Sequence, residues 1–340
     1  MKTQFKLMDI TKFIMSFLVV AIHTNPFYEF SGTFFYNLWG TITSLAVPYF
    51  FVSFGFLLFI NSDGTENDKK IKDSIIKYIK LYLLGSLAYL PLAIYHYYNA
   101  GIKFIYALVD YVRFFFFVGE NYNSFILWYL LSTIYTLLFI WVLIRIKMPK
   151  HLILAMCFII GFVGCVLTGF AKDPTMIENS AIISGIFSLL RKVFINGRLS
   201  QGFIYIPIGM VIAELYIKGK RIMKENIILC ITIIVVGICT RSMINRGSLE
   251  LIREIIKALA AATLFWLSLY NVEKIQNNSL CKRLRIDSQV IYFIHLYVWT
   301  ILYSVIYHEK SYGIFVFFAT SSLSLIISEV IQYCKMKKEK

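Results

Sequence analysis

About ten stretches of this sequence are long and apolar enough to cross a bilayer, and nothing else in the chain constrains its fold so strongly. They run over 8–27, 38–60, 75–95, 124–146, 150–170, 201–217, 226–242, 249–270, 288–307 and 312–333. A helix rises about 1.5 Å per residue, so about 20 apolar residues cover a hydrocarbon layer of about 30 Å. Inside that layer no water meets the backbone N–H and C=O groups, and a helix satisfies them internally. Composition agrees: 59% of the residues are hydrophobic and 16% charged, against roughly half and a quarter in a soluble domain. The expected fold is all-α, a polytopic membrane helix bundle of about ten transmembrane helices forming one domain over 1–340.

The net charge of +15 would suggest a nucleic-acid partner in a soluble protein. Here the cations fall in short loops beside apolar stretches, and nucleic acid is not expected. Lys69, Lys70 and Lys72 follow the second stretch; Arg145, Lys147 and Lys150 follow the fourth; Lys218 and Lys220 follow the sixth. Lys282, Arg283 and Arg285 precede the ninth, and Lys335, Lys337 and Lys338 close the chain. Every second loop is basic, so the positive-inside rule places both termini in the cytoplasm. The six cysteines form no C-x-x-C pair and no Cys/His set at zinc spacing, so no metal is expected.

The first stretch carries the densest chemistry. Asp9, Lys12, Ser16 and His23 stand on an otherwise apolar helix. Eleven residues at 100° each return His23 to within about 20° of Lys12, while Asp9 and Ser16 lie three and four residues to either side. The four form one polar stripe that climbs ~16 Å between Lys12 and His23. Ionisable side chains at membrane depth are costly and mark a pathway or a site. The plainer reading is two snorkelling charges and a buried histidine held by a neighbour. The loop charges put Asp9 and Lys12 at the cytoplasmic side and His23 in the outer half.

Other marks are less pointed. Lys77 and Lys80 open the third stretch, where they suit either an anionic ligand or lipid headgroups. Glu250, Arg253, Glu254 and Lys257 share one face of the eighth, as a cavity lining or as a self-neutralising network. His295 in the ninth suits either a second base or a bond between helices. The outer stretches 97–123 and 171–200 carry Asp110, Glu120, Arg191 and Arg198. The arginines there, against the orientation bias, are candidates for an anionic or glycan partner or for anionic lipid. No internal repeat is visible, and no central Gly-Pro pair breaks an apolar stretch, which counts against a transporter with discontinuous helices.

Three segments together resemble a known family. Asp9-x-x-Lys12 is followed by His23. Val47-Pro-Tyr-Phe-Phe-Val-Ser-Phe-Gly55-Phe-Leu-Leu closes the second stretch ahead of Lys77-x-x-Lys80, and Ile291-Tyr-Phe-Ile-His295-Leu lies in the ninth. In this order and spacing they resemble the acyltransferase 3 family of bacterial membrane acyltransferases, which modify cell-wall, capsule and lipopolysaccharide sugars. The resemblance implies a protein of the bacterial cytoplasmic membrane. It would take an acyl group, usually acetyl, from acyl-CoA (acetyl-CoA) in the cytoplasm and pass it to a hydroxyl, often at the outer face. The family's essential histidine falls on His23, its first-span basic residue on Lys12 and the acid before it on Asp9. Its CoA-phosphate pair falls on Lys77 and Lys80, and its aromatic-Tyr-Leu segment on Trp128, Tyr129 and Leu130. The family's arginines are lysines here, which keep the charge but lose the planar fork that grips phosphate. Its Ser-Gly is Phe54-Gly55.

Acyl transfer to an alcohol needs a general base, and histidine has the pKa for it. The expected catalytic set is therefore His23, Asp9 and Lys12, with Lys77 and Lys80 on acyl-CoA. Ser16, Trp128, Tyr129, Arg198, Glu254 and His295 are expected to line the acceptor path. The expected partners are membrane lipid, acyl-CoA and a glycan acceptor. Ala21-Ile-His23-Thr-Asn-Pro26 and Val47-Pro48 also look like the membrane domain ahead of serine racemase in some vancomycin-resistance proteins, a domain thought to supply serine. The alternative is thus a non-enzymatic transporter of the same fold, for amino-acid supply or polymer export.

Overall fold

The computed structural model describes residues 5–60, 66–122, 124–177, 180–194, 197–220, 224–244, 249–270, 278–303 and 312–338. Residues 304–307 of the ninth apolar stretch lie outside them. The described secondary structure is helical, with no strand among the described residues. The α-helices are α1 (Lys6–Thr24), α2 (Phe34–Thr43), α3 (Ala46–Phe59), α4 (Glu66–Asn99), α5 (Phe104–Arg113), α6 (Leu127–Arg145), α7 (Lys150–Lys172), α8 (Ala181–Phe194), α9 (Gly202–Ile217), α10 (Ile227–Met243), α11 (Glu250–Ser268), α12 (Asn278–Leu302) and α13 (Ile314–Lys338). Among the described residues, 7 helical stretches are long and apolar enough to cross a membrane. The chain is a multi-pass membrane protein. The other three expected crossings coincide with α10, α11 and α12, which are shorter or more polar.

The structure corrects the sequence reading in three places. Lys77 and Lys80 do not open a helix: α4 starts at Glu66 and runs for 34 residues, with Pro91 inside it. At 1.5 Å per residue that is about 51 Å, well beyond the ~30 Å hydrocarbon layer. Likewise Lys282, Arg283 and Arg285 belong to α12, not to a loop. A hydropathy window sees only the apolar part of such a helix. The second stretch is also interrupted, with a turn at Ser44 and Leu45 between α2 and α3. Pro48 explains the break, because its ring crowds the carbonyl four residues earlier, that of Ser44, and offers it no N–H.

The chain divides into two compact units, the division falling within α3 and within α11. The first comprises Met1–Phe50, Arg221–Met243 and Leu259–Lys340. In it α1 packs along α12 and α13, and α2 packs on α1 and α10. Side-chain bonds tie these helices. Asp287 of α12, 1% exposed, accepts from Ser328 (2.6 Å) and Gln332 (2.7 Å) of α13. Tyr49 donates to Ser268 Oγ at 2.8 Å. Ser242 bonds Thr41 at 3.1 Å, beside the buried Arg241.

The second unit comprises Phe51–Lys220 and Ile244–Ala258. In it α4 packs on α6, and α9 lies against both α6 and α7. The α3 segment crosses α9 with backbones touching. A Cβ on Gly55 would overlap the Ile206 carbonyl oxygen, and one on Gly209 would sit 2.7 Å from the Phe56 nitrogen. Neither obstacle is the yielding end of a side chain. Gly55→Ala is therefore expected to destabilise the protein by about 1–3 kcal/mol through overpacking. Gly185→Ala, at a helical site with nothing within 4 Å, serves as the control and is expected to be unchanged or more stable by up to about 1 kcal/mol; thermal unfolding in detergent compares the two.

Candidate functional site

The polar stripe of α1 is present in the first unit, and its lower end is a charge cluster. Asp9 is wholly buried, and its carboxylate is gripped by Arg285 of α12. Nε donates to Oδ1 at 2.9 Å and Nη2 to Oδ2 at 2.6 Å, the bidentate fork-to-carboxylate geometry. Asp9 is therefore fully engaged and is not a free base. Lys12, half-buried one turn on, lies within electrostatic reach of both Asp9 and Arg285. Two cations and one carboxylate leave the cluster with one net positive charge. Ser16 is buried and spends its proton on the Phe13 carbonyl of its own helix at 2.7 Å.

The other end of the stripe is fixed from several sides. Asn25 takes the left-handed conformation (φ 41°), and its N–H closes on the Ala21 carbonyl, ending α1 just past His23. Asn25 Nδ2 donates to the Tyr36 hydroxyl at 3.0 Å, and the Thr24 carbonyl accepts from Gly313 N at 2.9 Å. His23 is half-buried, and its ring stands 5.4 Å from that of His295, the planes 39° apart. His295 is wholly buried. Its Nδ1 lies 3.0 Å from the Ile291 carbonyl of its own helix, so it forms no bond between helices through that atom. Tyr292 and Phe50 extend an aromatic wall beside it, their rings 5.8 Å apart.

The remaining candidates lie in the second unit. Lys77 and Lys80 are exposed on α4 and make no ion pair among the described residues. Trp128 and Tyr129 stand at the start of α6 against Phe51, with centroids at 6.0 and 4.4 Å. Arg198 lies over the Trp128 ring at 5.4 Å and pairs with Glu120 at 2.6 Å. Burial raises the Glu120 carboxyl above its ordinary range while Arg198 pulls it down. Glu254, 8% exposed, is held by Lys257 at 2.6 Å and by the Tyr205 hydroxyl at 3.2 Å. Glu250 pairs with Lys172 at 2.5 Å. This unit also holds a cavity of about 350 Å³ lined by Phe59, Met210, Lys147, Lys150, Glu214 and Lys218. Two of its three lysines are taken up by Glu214, at 2.6 Å each.

Sequence reasoning missed the part played by Arg285, and it missed the burial of Arg241. In the sequence Arg285 reads as a loop charge, and no local signal links it to Asp9. Arg241, 7% exposed in the last turn of α10, was visible only as an arginine closing an apolar run.

A model of the acyltransferase 3 family, described as an acyltransferase domain, matches residues 5–332. A curated protein of Enterococcus faecalis named amino-acid racemase is 32% identical over 172 residues, which is 50% of this chain and 23% of that protein. The match thus spans less than a quarter of that relative's length. No solved structure matches the chain.

The grip of Arg285 on Asp9 generates a stability prediction. Arg285→Gln strands a buried carboxylate and is expected to cost about 2–3 kcal/mol, less than the 3–5 of a fully buried pair because the Arg285 side chain is 41% exposed. Adding Asp9→Asn removes the stranded charge and restores most of the loss. A double-mutant cycle on the unfolding temperature measures the coupling.

Proposed function

The chain belongs to the acyltransferase 3 family, and from that premise we propose that it is a membrane O-acyltransferase. In this reading it moves an acyl group, acetyl in the first instance, from cytoplasmic acyl-CoA to a hydroxyl of a cell-surface polysaccharide or other envelope glycan. One arrangement supports it above all. On a single helix, a cluster with one net positive charge at Lys12 and a histidine at His23 share one face, ~16 Å apart. The loop charges orient the cluster towards the cytoplasm, where the anionic donor is, and the histidine towards the outer half.

The reaction balances on His23. The acceptor hydroxyl gives its proton to the imidazole as its oxygen bonds to the acyl carbon. The carbon–sulfur bond then breaks, and the departing sulfur takes that proton as the free thiol. Lys77 and Lys80, exposed on α4, supply cations for the donor's phosphates. Lipid headgroups compete for the same charges.

A second reading, supply of an amino acid across the membrane, draws on the interrupted second crossing and on the racemase relative. Vesicles loaded with the purified protein separate the two, since this reading expects uptake of labelled serine without release of thiol from acyl-CoA.

His23→Ala, normally inserted, is expected to lower glycan acylation by about 10²–10⁴-fold, the usual worth of a general base. Mass spectrometry of surface glycans checks it, reading one acyl unit per modified sugar; acylation at the wild-type rate would end this assignment. Lys77→Glu with Lys80→Glu is expected to raise the KM for acetyl-CoA at least tenfold while leaving the unfolding temperature within about 2 °C.

A further inference from the structure

We propose that His295 is an acceptor-binding residue. Its Nε2 receives a hydrogen bond from a second hydroxyl of the acceptor, so that His23 and His295 together read two neighbouring hydroxyls of a sugar. The inference rests on the acyltransferase reading for the identity of the ligand, but its geometry stands apart from it.

The tautomer comes first. A carbonyl oxygen only accepts, so the 3.0 Å contact between Nδ1 and the Ile291 carbonyl places the ring's N–H on Nδ1. A neutral imidazole carries one N–H, and Nε2 is then a bare lone pair. That atom is buried and has no hydrogen-bond partner among the described residues. Buried polar atoms are nearly always paired, and leaving one unpaired is costly enough that a ligand or an ordered water usually meets it. A lone pair can be met only by a donor. An alcohol O–H fits; an acyl carbonyl or a phosphate oxygen does not.

The position comes second. The two imidazoles are 5.4 Å apart; His23 is half-buried and His295 wholly buried, so a ligand that meets Nε2 has to pass the His23 ring. Neighbouring hydroxyls on a pyranose ring are separated by about the length of a hydrogen bond, ~2.8 Å. One can therefore give its proton to His23 while the next donates to His295. The second contact holds the sugar in register and takes no part in the proton transfer. His295 does not serve as glue between helices here, because Nδ1 is turned back onto its own helix. Tyr292 and Phe50 provide the aromatic side of the site, against which a sugar face can rest.

The test uses the full-length protein in detergent with two probes, cis-cyclohexane-1,2-diol and cyclohexanol. Spectra with ¹⁵N-labelled histidine are recorded on wild type, His23→Ala, His295→Asn and His295→Gln. Asparagine keeps a donor near the Ile291 carbonyl, and glutamine keeps a polar atom near Nε2, so both remain foldable. The expected result is one Nδ1–H ring, absent from both His295 variants, whose bare nitrogen shifts with the diol at an apparent affinity at least tenfold better than with cyclohexanol. In acetyl transfer from acetyl-CoA, the diol's KM is expected to rise at least tenfold in His295→Asn. The KM for acetyl-CoA and the rate with cyclohexanol stay within about twofold. An Nε2–H tautomer, an unshifted signal, or the same diol preference in both His295 variants overturns the proposal. A shift with the diol but no acetyl transfer in wild type keeps the hydroxyl site and defeats the acyltransferase reading instead.

Discussion

A carboxylate at the start of an apolar helix has no place in a bilayer unless a cation comes with it, and Asp9 obtains one from Arg285. The guanidinium comes from near the other end of the chain and meets both carboxylate oxygens at once, which sets distance and rotation together. With α1 and α12 pinned at that point, the helices continue side by side until His23 reaches His295. The site depends on this pairing because the two imidazoles stand on the two helices that it joins. Each is placed by the rotation of its helix, and that rotation is set two or more turns away.

Charge balance separates structural charges from available ones. In α11, Glu250, Arg253, Glu254 and Lys257 are all buried and pair two against two within the helix, and Lys172 meets Glu250 as well. Glu214 holds Lys150 and Lys218 in the same way, and Glu120 holds Arg198. In such paired sets each carboxylate is already engaged and offers little to a ligand. Lys12, Lys77 and Lys80 differ. The first makes no ion-pair contact among the described residues, the neighbouring Asp9 being held by Arg285, and the other two are exposed on α4. An anionic donor finds its opposite charge there.

Periodicity made part of this legible in advance. Apolar runs of crossing length announced the helices, and 100° arithmetic placed Asp9, Lys12, Ser16 and His23 on one face before any coordinates. What escaped has a common cause. Arg285 looks like a loop residue and Lys77 like the start of a helix to any method that equates charge with a helix end, whereas α12 and α4 carry these charges inside helical structure. The break after Thr43 escaped because a Gly-Pro pair was sought, and Pro48 alone suffices. Gly55 read as half of an altered motif; the structure gives it a reason, the contact with the Ile206 backbone, and sets Phe54 against Tyr78 at 4.9 Å. Hydrogen-bond direction at His295 cannot be read from sequence, since it depends on which carbonyl its ring meets.

Asp9 meets Arg285 early in each helix and His23 meets His295 later in each, so α1 and α12 run in the same direction. Two helices that traverse a bilayer in one direction must be separated by an odd number of crossings. The seven apolar stretches expected from 38–60 to 249–270 are such a number. A single crossing gained or lost between them would turn α12 upside down and part both pairs at once. Insertions and deletions in this chain are thereby limited to loops or to crossings taken two at a time, a parity rule imposed by one carboxylate and two imidazoles.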